Sequence, residues 1–155
     1  MITISEMNSD HLAQVSLLKV VEEQEKFVGT MDEILSDVND EVHPHVILHQ
    51  DKVVGFFLID TYYQYGYDFC LQDGLGLRAF FIDATEQAKG YGTRAVEALS
   101  GHLSLNYPRF KSVYLTVNCK NPAAYSCYQK AGFMDTGKLY HGGAAGPQHI
   151  MQMHF

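Results

Sequence analysis

The spacing of apolar residues changes from a period of two to a helical period near the start of the chain. Residues 3–7 alternate, which is typical of a strand. Apolar residues then recur at helical spacing and predict a first helix over residues 11–21: Leu12, Val15, Leu18 and Val21. Thr30 lies three residues before Glu33, a capping-box spacing that predicts the start of a second, short helix.

The rest of the chain alternates β-rich runs with helical ones. Two β-rich runs separated by Gln50 and Asp51 predict a hairpin. One long helix is predicted to end at Pro108, and another begins with Pro122 at its first position. The strands predicted after the second helix are residues 45–49, 52–62, 77–83, 112–117, 133–140 and 149–155. The predicted order is therefore β, α, α, three strands, α, β, α and two strands.

Residues 82–93, IDATEQAKGYGT, connect a buried strand to the long helix through two glycines. Gly90 and Gly92 lack a Cβ, so the backbone can turn sharply and a ligand can approach the amides that open the helix. Those amides and the positive end of the helix dipole favour an anion such as a pyrophosphate. The same pattern is also common in plain turns, so the local spacing leaves both interpretations open.

The composition is that of one globular domain over residues 1–155, with 46% hydrophobic and 19% charged residues. The net charge of −7 argues against a nucleic-acid partner and is compatible with a cationic substrate or simply with solubility. We expect no membrane partner and a cytoplasmic location, because no run approaches a membrane span and the start of the chain does not resemble a signal peptide. The cysteines, Cys70, Cys119 and Cys127, are odd in number and favour reduced, structural thiols.

An acidic segment and an aromatic segment each allow a structural and a functional interpretation. The acidic residues are either a solvated helix face or a binding site for the distal ammonium of a polyamine: Asp32, Glu33, Asp37, Asp40 and Glu41. The aromatic residues of 62–69 either line an acceptor cleft or pack on one another. His43, His45 and His49 lack a cysteine or carboxylate at ligand spacing, so we expect strand histidines and no metal site.

Two motifs together resemble the GNAT superfamily of acyl-CoA-dependent N-acyltransferases. QAKGYG at residues 87–92 fits the family's Gln/Arg-x-x-Gly-x-Gly/Ala loop, and NPAAYSCYQKAGF at 121–133 fits its Asn-x-x-Ala-x-x-x-Tyr-x-x-x-Gly-Phe helix. The element order matches over essentially the whole chain. The resemblance implies an α/β (α+β) fold: a single domain with a mixed, mostly antiparallel sheet of about seven strands, about four flanking helices, and strands splayed at the cofactor site.

The resemblance also implies which residues bind acetyl-CoA. The backbone at Ile82 would pair with the pantetheine arm, the loop amides would hold the pyrophosphate, and Asn121 would hydrogen-bond the arm. Tyr128 matches the tyrosine that lies near the thioester sulfur, and it is therefore the expected general acid for the leaving thiolate. The cofactor-binding residues implied are Phe81, Ile82, Asp83, Gln87, Ala88, Lys89, Gly90, Tyr91, Gly92, Thr93, Asn121, Ala124 and Tyr128.

Two positions depart from the family pattern. Ala88 replaces a glycine that is frequent in the loop, which costs little if its φ is negative. Gly76 stands where many members carry a glutamate general base. Asp73, Asp83, Glu86, a tyrosine-bound water chain or an acceptor that arrives neutral could replace that base, and the sequence does not choose among them.

The function that the resemblance implies is direct transfer of an acetyl group from acetyl-CoA to an amine in a ternary complex, without a metal. Within the superfamily the chain looks most similar to small bacterial spermine/spermidine-type enzymes, so the expected partner is a small, cationic, polyamine-like amine. The alternatives are a protein N-terminal or lysine acetyltransferase, and a CoA-binding or regulatory module without turnover. The apolar positions Met151, Met153 and Phe155 would permit a homodimer through the last strands, but a core-facing strand needs the same pattern.

Overall fold

Seven strands and six α-helical segments make up the computed structural model, which describes residues 1–155. The strands are β1 (Ile2–Glu6), β2 (Val42–His49), β3 (Lys52–Asp60), β4 (Gly74–Ile82), β5 (Ser112–Asn118), β6 (Met134–Tyr140) and β7 (Gln148–His154). The helices are α1 (Leu12–Ser16), α2 (Glu25–Val28), α3 (Met31–Ser36), α4 (Tyr63–Gly66), α5 (Tyr91–Asn106) and α6 (Pro122–Lys130).

The strands form one sheet in the order β1-β2-β3-β4-β5-β7-β6. Every neighbouring pair is antiparallel except β4 and β5, which are parallel. That parallel pairing is short and joins only residues Gly74–Gly76 of β4 to Ser112–Tyr114 of β5. Because both strands continue beyond the paired residues, the sheet opens between them. The predicted mixed, mostly antiparallel sheet with a splay is thus confirmed.

Alternate side chains of the central strands point to opposite faces of the sheet and contribute to two hydrophobic cores, one on each face. On β3, Phe57 and Ile59 pack with the apolar face of α5, whereas Phe56 and Leu58 pack with Val15 of α1 and residues of α3. The buried residues of α5 recur at helical spacing: Tyr91, Ala95, Val96, Leu99 and Leu103. The sheet is therefore covered on both faces, and within it the splay between β4 and β5 leaves strand edges open.

Two local predictions are confirmed in detail. Gln50 and Asp51 both adopt positive φ, 50° and 68°, as a tight hairpin turn between β2 and β3 requires. Thr30 and Glu33 form the capping box of α3, since the Thr30 hydroxyl accepts from the Glu33 amide and the Glu33 carboxylate accepts from the Thr30 amide.

The first helix is shorter than its periodicity predicts. It ends at Ser16, and Leu17 is 78% exposed, although Leu18 and Val20 are buried. The backbone of Lys19 is held instead by a distant segment: its amide donates to Asp83 Oδ1 at 2.7 Å, and its carbonyl accepts from the Ala84 amide at 2.8 Å. These bonds take the place of the intrahelical bonds that a helix through Val21 would need.

The apolar residues of the last strand pack against the core of the same chain. Met151 is fully buried in the core that α5 covers, and Met153 and Phe155 pack against the same core. None of the helices combines the length and the apolar composition needed to cross a bilayer. The three cysteines are unpaired, with Cys70 buried, Cys127 half-buried and Cys119 exposed.

Candidate active site at the splay of the sheet

A cleft of about 410 Å³ lies where β4 and β5 separate. Its floor is formed by the diverging parts of these strands, and α6 and the connector between β6 and β7 border it on one side. Helices α2, α3 and α4 border it on the other. The lining residues discussed below are Glu33, Asp37, Tyr63, Arg78, Asn121 and Tyr128.

A bulge in β4 shapes the edge of this cleft. The register with β3 shifts between Phe56 and Leu58, which pair with Phe81 and Arg78, so β4 carries an extra residue. Within the bulge Ala79 adopts φ 53°, a left-handed conformation that is unusual for alanine. Since β4 pairs with β5 only as far as Gly76, the bulged part of β4 has a backbone edge open to the cleft.

The glycine turn ends in a left-handed residue, as a sharp turn into a helix requires. Gly90 has φ 77° and is the N-cap of α5, whose first amides, from Tyr91 to Thr93, have no partner within the helix. A Cβ added at Gly90 would meet nothing within 4 Å, so the turn is open to a ligand. Gln87 braces the turn by donating from Nε2 to the Ile82 carbonyl at 2.6 Å. These features fit a pyrophosphate group.

Ala88 contradicts one expectation about this loop. Its φ is 63°, so the assumption that alanine is tolerated there through a negative φ is wrong. The loop needs two left-handed residues, Ala88 and Gly90, to reverse its direction before α5 begins. An alanine in that conformation costs about 1 kcal/mol relative to its preferred backbone region.

The acidic residues near the turn serve the structure of the loop. Asp83 accepts hydrogen bonds from Lys19 and Thr85, and these bonds lower the pKa of its carboxyl group. Glu86 is paired with Lys89 at 3.1 Å and Lys52 at 3.6 Å, and the hydrogen bond from Lys89 is the main cause of its lowered pKa. Neither carboxylate borders the cleft, and neither does Asp73. None of the three is placed to act as the base.

Asn121 and Ala124 open α6 at the edge of the cleft. The Asn121 side-chain oxygen accepts from the Ala124 amide at 3.4 Å, and Pro122 occupies the first turn, where a missing N–H costs nothing. Since the capping bond uses the oxygen, the two N–H groups of the Asn121 amide remain available to a ligand in the cleft.

Tyr128 lies one helical turn further along, on the cleft side of α6. The residue is 8% exposed. The rings of Phe80 and Phe133 each pack edge-on against its ring, with a distance of 5.8 Å between ring centroids. Burial raises the pKa of Tyr128, so the phenol stays protonated at neutral pH. The hydroxyl makes no hydrogen bond within the protein, which leaves its proton available to a group in the cleft.

Gly76 has no room for a side chain. A Cβ added there would lie 2.0 Å from Cδ1 of Tyr63, whose ring covers this part of β4. Tyr63 is 2% exposed and stacks on Tyr67 with a centroid distance of 4.3 Å. A glutamate at Gly76 is therefore incompatible with the ring of Tyr63.

Arg78 was not singled out by sequence reasoning, although a charge inside an apolar strand is a readable signal. Its guanidinium donates to Asp60 at 3.1 Å and to Asp37 at 3.0 Å. Of the acidic residues 32–41, Glu33 and Asp37 border the cleft, and both already have partners in Thr30 and Arg78. The segment is thus partly structural, as one interpretation proposed, and partly at the cleft.

The histidine and aromatic segments are largely structural. His43 hydrogen-bonds Tyr107 and the Asp40 carbonyl, whereas His45 is buried and bonds His102. No three metal-ligating side chains converge in the structure. The rings of the aromatic segment pack on one another, and Tyr63 and Tyr67 also border the cleft.

A sheet splayed at a parallel strand pair, with a glycine turn and a helix N-terminus beside the splay, defines an α/β domain whose geometry suits a phosphate-bearing cofactor. Comparison with known proteins identifies the family to which this domain belongs. The acetyltransferase (GNAT) family profile matches residues 8–133, so the chain belongs to this family and is an acetyl-CoA-dependent N-acyltransferase.

Two curated relatives from Bacillus subtilis (strain 168) are similar over most of their length. The uncharacterised N-acetyltransferase YbbJ is 29% identical over 144 residues, covering 88% of both chains. Spermine/spermidine N(1)-acetyltransferase is 30% identical over 142 residues, covering 89% of this chain and 91% of the relative.

Solved structures share the fold at lower identity. The aminoglycoside acetyltransferase AAC(6')-Ib in complex with coenzyme A and kanamycin superposes with a TM-score of 0.73 at 21% identity, covering 99% of this chain and 95% of the other. Spermidine N-acetyltransferase from Vibrio cholerae with CoA and spermine has a TM-score of 0.71 at 16% identity, with coverage of 99% and 95%.

Proposed function

We propose that the protein transfers the acetyl group of acetyl-CoA directly to a primary amine of a small, cationic, polyamine-like acceptor. The observation that carries the proposal is the pair of carboxylates, Glu33 and Asp37, on the side of the cleft opposite Tyr128 and Asn121. Arg78 contacts only one oxygen of Asp37, and the capping box uses one oxygen of Glu33. Each side chain therefore keeps an oxygen for a distal ammonium.

The relatives support the same acceptor class. One of them, at 30% identity, is a spermine/spermidine N(1)-acetyltransferase, and a structural neighbour was solved with CoA and spermine. Another neighbour was solved with kanamycin, which is also a small amine.

Acetyl-CoA supplies an acyl thioester when it is bound. The amides at the start of α5 would hold the pyrophosphate, and the turn residues Gln87, Ala88, Lys89, Gly90 and Gly92 would shape that site. The open edge of β4 from Phe81 to Asp83 would pair with the pantetheine arm, and the side-chain amide of Asn121 would donate to it, beside Ala124. Tyr128 would protonate the thiolate as the carbon–sulfur bond breaks.

The test is release of free CoA thiol with a panel of acceptors: spermidine, spermine, an aminoglycoside and a peptide with a free N-terminus. We expect the polyamines to give the highest kcat/KM. Faster transfer to the peptide would overturn the proposal in favour of a protein N-terminal acetyltransferase. Calorimetric binding of acetyl-CoA with no thiol release from any acceptor would instead indicate a CoA-binding module.

We also propose a cytoplasmic location, which the three unpaired cysteines support. A homodimer stays a proposal as well. Met151 is buried in the core, whereas Met153 and Phe155 are only partly buried and keep some surface for a partner copy. Sedimentation velocity at micromolar concentration distinguishes monomer from dimer.

A further inference from the structure

Strand β4 cannot present a carboxylate to the acceptor amine. The ring of Tyr63 lies over Gly76, with three ring carbons between 2.0 and 2.7 Å from the position of an added Cβ. Gly74 likewise has no room for a side chain, because an added Cβ would lie 2.6 Å from Cys70 Sγ and 2.7 Å from a ring carbon of Tyr114. The ring of Tyr63 is itself held by its stack on Tyr67.

In the proposed binding mode, no charged side chain elsewhere in the cleft receives the proton of the reacting amine. Four charged residues border it, namely Lys26, Glu33, Asp37 and Arg78. The two cations have no role as bases at neutral pH. The two carboxylates each accept hydrogen bonds, Glu33 from Thr30 and Asp37 from Arg78, and both lie on the α3 side of the cleft, where a distal ammonium would bind.

The tyrosines that border the cleft do not supply a base either. Burial raises the pKa of Tyr63, Tyr67 and Tyr128, so their hydroxyls stay protonated throughout the neutral range. Cys70 packs beside Tyr63, and burial raises the pKa of its thiol to about 12. The groups that face the site from each surrounding element are therefore proton donors, cations, or carboxylates that the proposed function assigns to the distal ammonium.

We propose that the ring of Tyr63 occupies the place of a catalytic carboxylate, and that the enzyme therefore acetylates amines that arrive uncharged. This inference rests on the proposed amine transfer. The neutral nitrogen attacks the thioester carbonyl, the carbon–nitrogen bond forms and the carbon–sulfur bond breaks. The nitrogen of the tetrahedral adduct loses its proton to water, and the thiolate takes a proton from Tyr128, so amine and thioester yield amide and thiol.

The consequence is selection for weakly basic amines. An amine with a pKa near 8 is roughly 200-fold more often neutral at pH 7 than an alkylamine with a pKa near 10.4. Within a polyamine, each ammonium lowers the pKa of its neighbours by repulsion. Among polyamine-like acceptors, the preferred ones are therefore those with closely spaced amines, rather than isolated alkylamines of the same length.

The first test is the pH dependence of kcat/KM between pH 6 and 11 for two acceptors, a closely spaced diamine and an isolated alkylamine. We expect the rising limb to lie at each acceptor's own pKa and hence to move by about two pH units between acceptors that differ by that much. A rising limb at one acceptor-independent pH near neutrality would reveal an enzyme base and overturn the inference. Absence of transfer to every amine would instead overturn the proposed function itself.

Tyr63→Phe separates the ring from its hydroxyl. Because the ring alone fills the space over Gly76, we expect the variant to keep the same rising limb for each acceptor. A limb that moves in Tyr63→Phe would show that the hydroxyl takes part in proton transfer, which would contradict the inference.

The packing claim has a readout that does not depend on activity. Gly76→Ala should lower the melting temperature by roughly 5 °C, because its methyl group collides with the ring of Tyr63. In a Tyr63→Ala background the same substitution should cost almost nothing, since the space is then open. Equal losses in both backgrounds would show that the ring does not occupy the position.

Discussion

The ring nitrogens His45 Nε2 and His102 Nε2 lie 3.0 Å apart in a hydrogen bond between β2 and α5. His45 Nδ1 faces the His43 carbonyl at 3.0 Å and must donate to it, so His45 Nε2 is the acceptor. His102 therefore donates from Nε2, and its Nδ1 accepts from Asn106 at 3.3 Å. The chain of bonds is complete only while both rings are neutral.

This arrangement predicts a loss of stability in mild acid. Burial lowers the pKa of His45 to about 4, whereas an unfolded histidine has a pKa near 6.5. Between these values the unfolded chain binds a proton that the native protein does not, so stability falls as the pH falls. We expect His45 to contribute a loss of about 3 kcal/mol between pH 7 and pH 4, measured by urea unfolding.

Matched variants separate this contribution from the titration of carboxylates. His45→Phe keeps a ring on Phe57 and should flatten the decline between pH 7 and pH 5, whereas exposed His141→Gln should leave it unchanged. If His45→Phe and the wild type lose stability in parallel over this range, His45 is not the group responsible.

Tyr128→Phe tests the general acid. Because the hydroxyl makes no hydrogen bond within the protein, we expect the melting temperature and the KM for acetyl-CoA to stay close to wild type. The kcat should fall by about 100-fold, the lower end for loss of a positioned acid. Tyr62→Phe, at a 55% exposed tyrosine outside the cleft lining, is the control and should change neither parameter. An unchanged kcat in Tyr128→Phe would remove the residue from this role.

Thr93→Asp should separate helix stability from anion binding at the start of α5. A carboxylate in the first turn favours the helix by about 0.5 kcal/mol, yet it would repel the pyrophosphate. We therefore expect unchanged or slightly higher stability together with a rise of about tenfold in the KM for acetyl-CoA. Thr93→Asn is the matched neutral control and should bind nearly as wild type. If both variants bind alike, charge at this end of α5 does not govern binding.

Arg78→Met should destabilise the protein by about 2 kcal/mol, because it leaves the buried carboxylate of Asp60 without its partner. Adding Asp60→Asn should restore at least half of the loss, since an amide oxygen can still accept from the Tyr62 amide. Chemical denaturation of the wild type, Arg78→Met and the double variant gives the free energy of unfolding of each.

Lys52→Met is the control for losing an ion pair at the surface. Its side chain is 65% exposed and lies 3.6 Å from Glu86, so we expect a loss below about 0.5 kcal/mol. Equal losses in Lys52→Met and Arg78→Met would contradict the importance of the buried partner.

Local signals were sufficient for most elements. The alternation of Phe56 and Leu58 against Phe57 and Ile59, and the capping box of Thr30, depend on neighbours within a few residues. The first helix was overestimated because the bond between Lys19 and Asp83 spans 64 residues and leaves no local trace. The left-handed backbone of Ala88 was missed because its conformation follows from closing the turn onto α5.

By itself, the sequence determined the glycine turn, the helix that carries Asn121 and Tyr128, and the family, because each depends on residue types at short, fixed spacings. Only the tertiary structure determined which side chains meet on the acceptor side of the cleft. There Tyr63 covers Gly76, and Arg78 joins Asp37 to Asp60. Steric exclusion and ion pairing between distant segments act only once the sheet has brought those residues together, so no local pattern records them.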